Sequence, residues 1–142
     1  MTTIRDIMTR GVAMVQSHDT LQDAARKMES LNVGSLPVCD GDVLVGMVTD
    51  RDITIRGVAA GMVPQHAPVS EVMTHEVRWC NETDSVDQVM EQMGDAQVRR
   101  LAVLGPDHKI AGIVALGDLA TRQSEHTDIA LREISERSPT PH

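Results

Sequence analysis

The chain has 142 residues and a formal net charge of −8, with 41% hydrophobic and 24% charged residues, ordinary values for a globular protein of one compact domain or two small subdomains. That acidity, with one Trp and no Phe or Tyr, argues against a nucleic-acid binder, which needs a basic face and usually aromatic stacking platforms. Cys39 and Cys80 make neither a disulfide framework nor a metal knuckle and read as buried thiols of a reducing cytoplasm, and no apolar run approaches the ~20 residues of a membrane span.

Val12–Val15 is a short apolar run and predicts a strand. Asp19-Thr20 then opens a helix, with Asp23 placed three residues after Thr20 as in a capping box. Leu21, Ala24, Ala25, Met28 and Leu31 follow at helical spacing, and Asn32-Val33-Gly34 ends the helix. Leu36–Cys39 reads as a strand, Asp40-Gly41-Asp42 as a tight turn and Val43–Val48 as the hairpin partner. Asp50 to about Ala60 is expected to be helical and closed by Gly61. Residues 62–68, which contain Pro64 and Pro68, form a connector.

The same plan then recurs. Val77–Cys80 predicts a strand, and Ser85 with Gln88 a second capping box, followed by the apolar face of Val86, Val89, Met90 and Met93. Leu101–Leu104 and Ile110–Val114 make a hairpin around Gly105-Pro106-Asp107-His108, and Gly117-Asp118-Leu119 begins the last helix. Residues 123–142 read as a polar tail with at most a helical turn over Ile129–Ile134. Nine Met help to fill cores that have almost no aromatic side chains. Trp79, the only aromatic, is read as core or dimer interface, and the six scattered His show no metal-ligand spacing.

The recurrence is literal in places. Asp6-Ile7-Met8-Thr9 returns as Glu71-Val72-Met73-Thr74, and Val33-Gly34-Ser35-Leu36-Pro37-Val38 as Val98-Arg99-Arg100-Leu101-Ala102-Val103. Gly46-Met47-Val48-Thr49-Asp50-Arg51-Asp52 returns as Gly112-Ile113-Val114-Ala115-Leu116-Gly117-Asp118. The expected fold class is α/β of the α+β kind: two β-α-β-β-α repeats related by a pseudo-twofold axis, their sheets facing each other. Residues 1–61 form the first repeat and 69–122 the second. One unit alone has too small a core to stand by itself.

Taken together, these phrases resemble a tandem cystathionine-β-synthase-type (CBS) domain pair, or Bateman module, over residues 4–122, of the small stand-alone bacterial kind. The resemblance implies a regulatory protein, not an enzyme, that binds an adenosine-containing ligand (AMP, ADP, ATP, NAD or S-adenosylmethionine) between its repeats. It implies no required cofactor, a homodimer shaped as a flat disc, and an effector protein as output partner. The alternative is a ligand-free dimerising scaffold. No nucleophile with an adjacent base and no phosphate loop beyond the helix starts argues for catalysis.

The resemblance also assigns site residues. Thr49 stands where a strand passes into a helix, where free N–H groups and the positive dipole end suit a phosphate, and Asp52 offers two oxygens to a ribose. The alternative is that Thr49 only caps the helix and Asp52 only complements its dipole. Arg51 adds a cation beside them. In the second copy Ala115 and Gly117 replace Thr49 and Arg51 while Asp118 is kept, which makes that site the weaker expectation. Arg99 and Arg100 are placed to reach phosphates across the axis, or else to sit in solvent. The base is expected against Val12, Ala13, Leu36 and Pro37 in one copy and against Val77 and Leu101 in the other.

Overall fold

The computed structural model describes residues 2–121; the tail expected over 123–142 lies outside the described residues. Each repeat begins with a very short strand: β1 is Val15–Gln16 and, later, β4 is Trp79–Asn81. Helix α1 (Leu21–Leu31) follows β1, then β2 (Ser35–Asp40) and β3 (Val43–Thr49) form a hairpin. Helix α2 starts as Asp50–Asp52 and runs on as a π-helix over Ile53–Val58. In the second repeat α3 (Val86–Ala96), β5 (Arg100–Leu104) and β6 (Ile110–Ala115) repeat the order, and residues 116–121 form α4. Among the described residues no helix is long and apolar enough to cross a membrane.

The two main helices start and stop as their sequences direct. Thr20 Oγ1 accepts the Asp23 N–H at 3.1 Å while Asp23 accepts the Thr20 N–H, and Ser85 with Gln88 closes the matching box on α3. The backbone hydrogen bond from Thr20 holds the Asp23 carboxyl below its ordinary value. Both helices end on a left-handed residue, Asn32 (φ 55°) and Gln97 (φ 56°), a conformation Asn tolerates well. Of the apolar face expected on α1, Leu21, Ala24 and Met28 are buried, whereas Ala25 is exposed and Leu31 is 46% exposed. The regular helix expected from Asp50 to Ala60 is instead widened. Its run Ile53-Thr54-Ile55 is β-branched throughout, and the Thr54 hydroxyl bonds back to the Asp50 carbonyl at 3.0 Å, both of which disfavour a straight α-helix.

Each sheet has three strands in the order β1-β2-β3 or β4-β5-β6, with the first pair parallel and the second antiparallel. Alternate residues of the hairpins face two different cores. Leu36, Val38 and Val48 pack under α1, and Leu101, Val103 and Val114 pack under α3. On the opposite faces Cys39 and Leu44 meet Ala102 and Leu104, so the two sheets face each other across a third, smaller core. Burial pushes the Cys39 thiol up to about 11 and the Cys80 thiol up to about 12.

The openings of the repeats cross over. Ile4, Ile7 and Met8 are buried in the core of the second repeat, and Val69, Val72 and Met73 in the core of the first. Ile4 and Arg5 donate to the Asp84 and Glu82 carbonyls at 3.0 and 2.9 Å; Val69 and Ser70 donate to Asp19 and Ser17 at 2.7 and 3.0 Å. Thr9 exchanges two hydrogen bonds with Ile113 of β6, and Thr74 does the same with Met47 of β3. Gly112 and Gly46 make these crossings sterically possible. A Cβ on Gly112 would lie 2.7 Å from the Thr9 carbonyl oxygen, and one on Gly46 would lie 2.9 Å from that of Thr74.

Candidate functional site

Two clefts open between the repeats. Cleft A, about 340 Å³, is bounded by Val12, Ala13, Leu36 and Pro37 of the first repeat and by Ala115 and Asp118 of the second. Cleft B, about 290 Å³, is bounded by Val77, Arg78, Leu101 and Ala102 of the second repeat and by Met47 of the first. Ser35, Pro37, Arg100 and Ile113 line both clefts and form their common wall. Both volumes lie near the lower end of the ~300–1,000 Å³ usual for small-molecule sites.

The floor of cleft A owes its polarity to a proline. The sequence predicts a strand over Val12–Val15, yet β1 begins only at Val15. Cys39 gives its carbonyl to the Ser17 N–H at 3.1 Å, so β2 turns Cys39, and by alternation Pro37, toward β1. Pro37 has no N–H, and the ladder stops. In the second repeat Ala102 stands in its place, and there the ladder runs one pair further, with Trp79 against Ala102. The strand expected over Val77–Cys80 accordingly begins at Trp79. The N–H and C=O groups of Val12 and Ala13 therefore make no hydrogen bond among the described residues, while Pro37 packs beside them in the same cleft. Half-buried backbone groups left in this state are free to hydrogen-bond water or a ligand.

The two aspartates differ in their surroundings. Thr49 Oγ1 accepts the Asp52 N–H at 3.0 Å, and Asp52 Oδ2 accepts the Thr49 N–H at 3.0 Å, a closed capping box. Thr49, Arg51 and Asp52 line neither cleft; they stand at the end of β3, where Thr49 pairs with the wall residue Ser35. Ala115 has no hydroxyl, so α4 has no such box, and the Asp118 carboxylate makes no hydrogen bond among the described residues and lines cleft A. Asp118 thus lines the same cleft as Ala13 and Pro37, which are contributed by the other repeat. Arg99 lies outside both clefts and accepts the Leu116 N–H on its carbonyl at 2.8 Å. Arg100 opens β5 and is exposed at the common wall.

Sequence reasoning passed over Arg78 and Ser35, although the internal symmetry held the signal: Arg78 is the counterpart of Ala13, and Ser35 the counterpart of Arg100. Trp79, expected in the core or in a dimer interface, does not lie in the core of the chain. It is 38% exposed and meets the His108 ring edge-on, with centroids 5.0 Å apart. Among the described residues no group of three His, Cys, Asp or Glu side chains is placed to hold a metal ion.

The CBS-domain profile matches residues 4–57 and again 69–125, most of the chain in two copies. The chain belongs to the CBS-domain family. It is 42% identical over 127 residues to Hypoxic response protein 1 of Mycobacterium tuberculosis, covering 89% of this chain and 88% of that one. It is 42% identical over 140 residues to the CBS domain-containing protein YhcV of Bacillus subtilis, covering 97% and 99%. The CBS pair described here also resembles the crystal structure of Hypoxic Response Protein I with two coordinated zinc ions (TM-score 0.76, 41% identity, 86% of this chain and 99% of that one). It shares the fold of CBSX2 in complex with AMP (TM-score 0.75, 22% identity, 89% and 99%). The two CBS repeats account for most of this chain, and the match extends over most of the length of both relatives.

Proposed function

We propose that this CBS pair is a regulatory sensor that binds an adenosine-containing ligand (AMP, ADP, ATP, NAD or S-adenosylmethionine) between its repeats. The observation that carries the reading is the juxtaposition in cleft A of the unpaired Val12–Ala13 backbone and the Asp118 carboxylate. Adenine presents donors and acceptors along one edge, which the peptide groups of Val12 and Ala13 can meet, while the apolar lining at Pro37 and Ile113 suits its face. A ribose presents two adjacent hydroxyls, which one carboxylate can accept together. Arg100 then supplies the positive charge a phosphate needs. CBSX2, which has this fold, is solved with AMP, and that supports the same ligand class here.

Because Asp118 and Ala13 come from different repeats, a ligand held by both clamps the halves together and biases their relative angle. The output is a partner protein that reads this bias. Ile55 and Val58, exposed on α2, support assembly with a second copy of the chain.

Titration calorimetry with the five ligands tests the proposal. Asp118→Asn should weaken the binding step at cleft A roughly tenfold or more, the loss of charge-assisted hydrogen bonds worth ~1.5–3 kcal/mol, and leave the unliganded melting curve unchanged. No heat with any of the five would leave the ligand-free scaffold as the better reading.

A further inference from the structure

We infer that the two clefts share one phosphate-binding guanidinium, that of Arg100, so that a phosphorylated ligand in one cleft weakens the binding of a second in the other. The inference deepens the nucleotide reading above and rests on it.

Arg100 lines both clefts, and its side chain makes no hydrogen bond or ion pair among the described residues, so the group is uncommitted before a ligand arrives. Among the described residues cleft A is lined by no other cationic side chain and by one carboxylate, Asp118; cleft B is lined by Arg78 as well as by one carboxylate, Glu76, and so keeps one positive charge more. A guanidinium that holds one phosphate in two parallel hydrogen bonds has its single charge taken up by that phosphate and attracts a second one less. Two phosphates against one wall would also repel each other with a single positive charge between them. Both effects have the same sign. With Arg78 in support, cleft B takes the phosphate first, and cleft A is left with the groups that read an uncharged nucleoside: the Ala13 carbonyl, the Val12 and Ala13 N–H groups and Asp118. A chain carrying AMP in cleft B should therefore still accept adenosine in cleft A while resisting a second AMP. Linkage makes the effect reciprocal.

Calorimetry on the full chain with AMP and with adenosine tests this, using Asp118→Asn to mark the cleft-A step and Arg78→Glu, an exposed substitution, to drive AMP out of cleft B. Sharing predicts that in R78E the AMP step sensitive to D118N tightens at least roughly tenfold over the wild type, although the added negative charge alone would weaken it. Arg100→Gln should collapse the preference of cleft A for AMP over adenosine. An AMP step at cleft A whose affinity is the same in R78E and wild type would overturn the sharing and leave the nucleotide reading intact. No binding of either compound would overturn that reading, and the inference with it.

Discussion

Gly112→Ala tests whether the crossing of the N-terminal segment into the second repeat holds the molecule together. The added Cβ would lie 2.7 Å from the Thr9 carbonyl oxygen and 2.8 Å from Met8 Sδ. The methionine can swing aside, but the carbonyl is fixed. It accepts the Ile113 N–H at 3.0 Å, while the Thr9 N–H donates to Ile113 at 2.9 Å. Relieving the overlap to an ordinary contact of at least 3.4 Å requires a shift of about 0.7 Å against that pair of hydrogen bonds. Overpacking of this kind costs about 1–3 kcal/mol, and each bridge bond given up adds about 1 kcal/mol. The reduced freedom of the unfolded chain returns about 0.4–1 kcal/mol. The expected net loss is about 1.5–4 kcal/mol, a large share of a typical ~5–15 kcal/mol stability. Urea unfolding followed by circular dichroism measures it. Gly94→Ala is the matched control: it lies in α3 with nothing within 4 Å of its added Cβ and should stabilise by up to ~1 kcal/mol. If G112A unfolds within ~0.5 kcal/mol of the wild type, the steric account of the crossing is wrong.

Removing residues 1–9 should unfold the second repeat, because Ile4, Ile7 and Met8 are almost wholly buried there and each side chain contributes ~1.5–3 kcal/mol; loss of a cooperative thermal transition is the measurement. Thr49→Ala removes the α2 cap and should cost about 1 kcal/mol in urea, whereas Ala115→Thr should add a hydroxyl able to accept the Asp118 N–H and raise the melting temperature. The thiol values of about 11 for Cys39 and about 12 for Cys80 lie above the ordinary 9.0. The folded state therefore keeps both thiols protonated where the unfolded chain ionises, so their contribution is complete below pH ~9 and is lost as the pH rises toward 11–12. A double Cys→Ala variant should show a flatter alkaline decline than the wild type, and native protein at pH 8 should resist a thiol reagent that labels it at once in urea.

Local chemistry was legible in the sequence wherever it acts over a few residues. The boxes at Thr20–Asp23 and Ser85–Gln88 and the turn at Gly41 (φ 65°) formed as their residues predict, and the repetition gave the two facing sheets. The crossing of the openings was not legible. Met8 stands in the same register to its own repeat whichever core receives it, and the tight contact that explains Gly112 comes from a residue over a hundred positions away. The short β1 was hidden for a different reason: an apolar run such as Val12–Val15 records burial, whereas the ladder ends on a missing donor at Pro37 in another strand. At the site, an identical three-residue spacing concealed two environments. Thr49 and Asp52 close a box of two hydrogen bonds on each other, whereas the Asp118 carboxylate makes no hydrogen bond among the described residues and Asp118 lines cleft A.

The exchanged openings give the connector between the repeats an unusual status. Each half completes the other's interior, so neither could be excised as an autonomous piece; a single repeat would have to borrow the same segment from a twin. The present chain reads as such a pair of twins joined end to end. The two halves now differ, one with a hydroxyl at its helix start (Thr49) and the other with an arginine at the head of its strand (Arg100), so that a near-symmetric plan yields two unlike clefts.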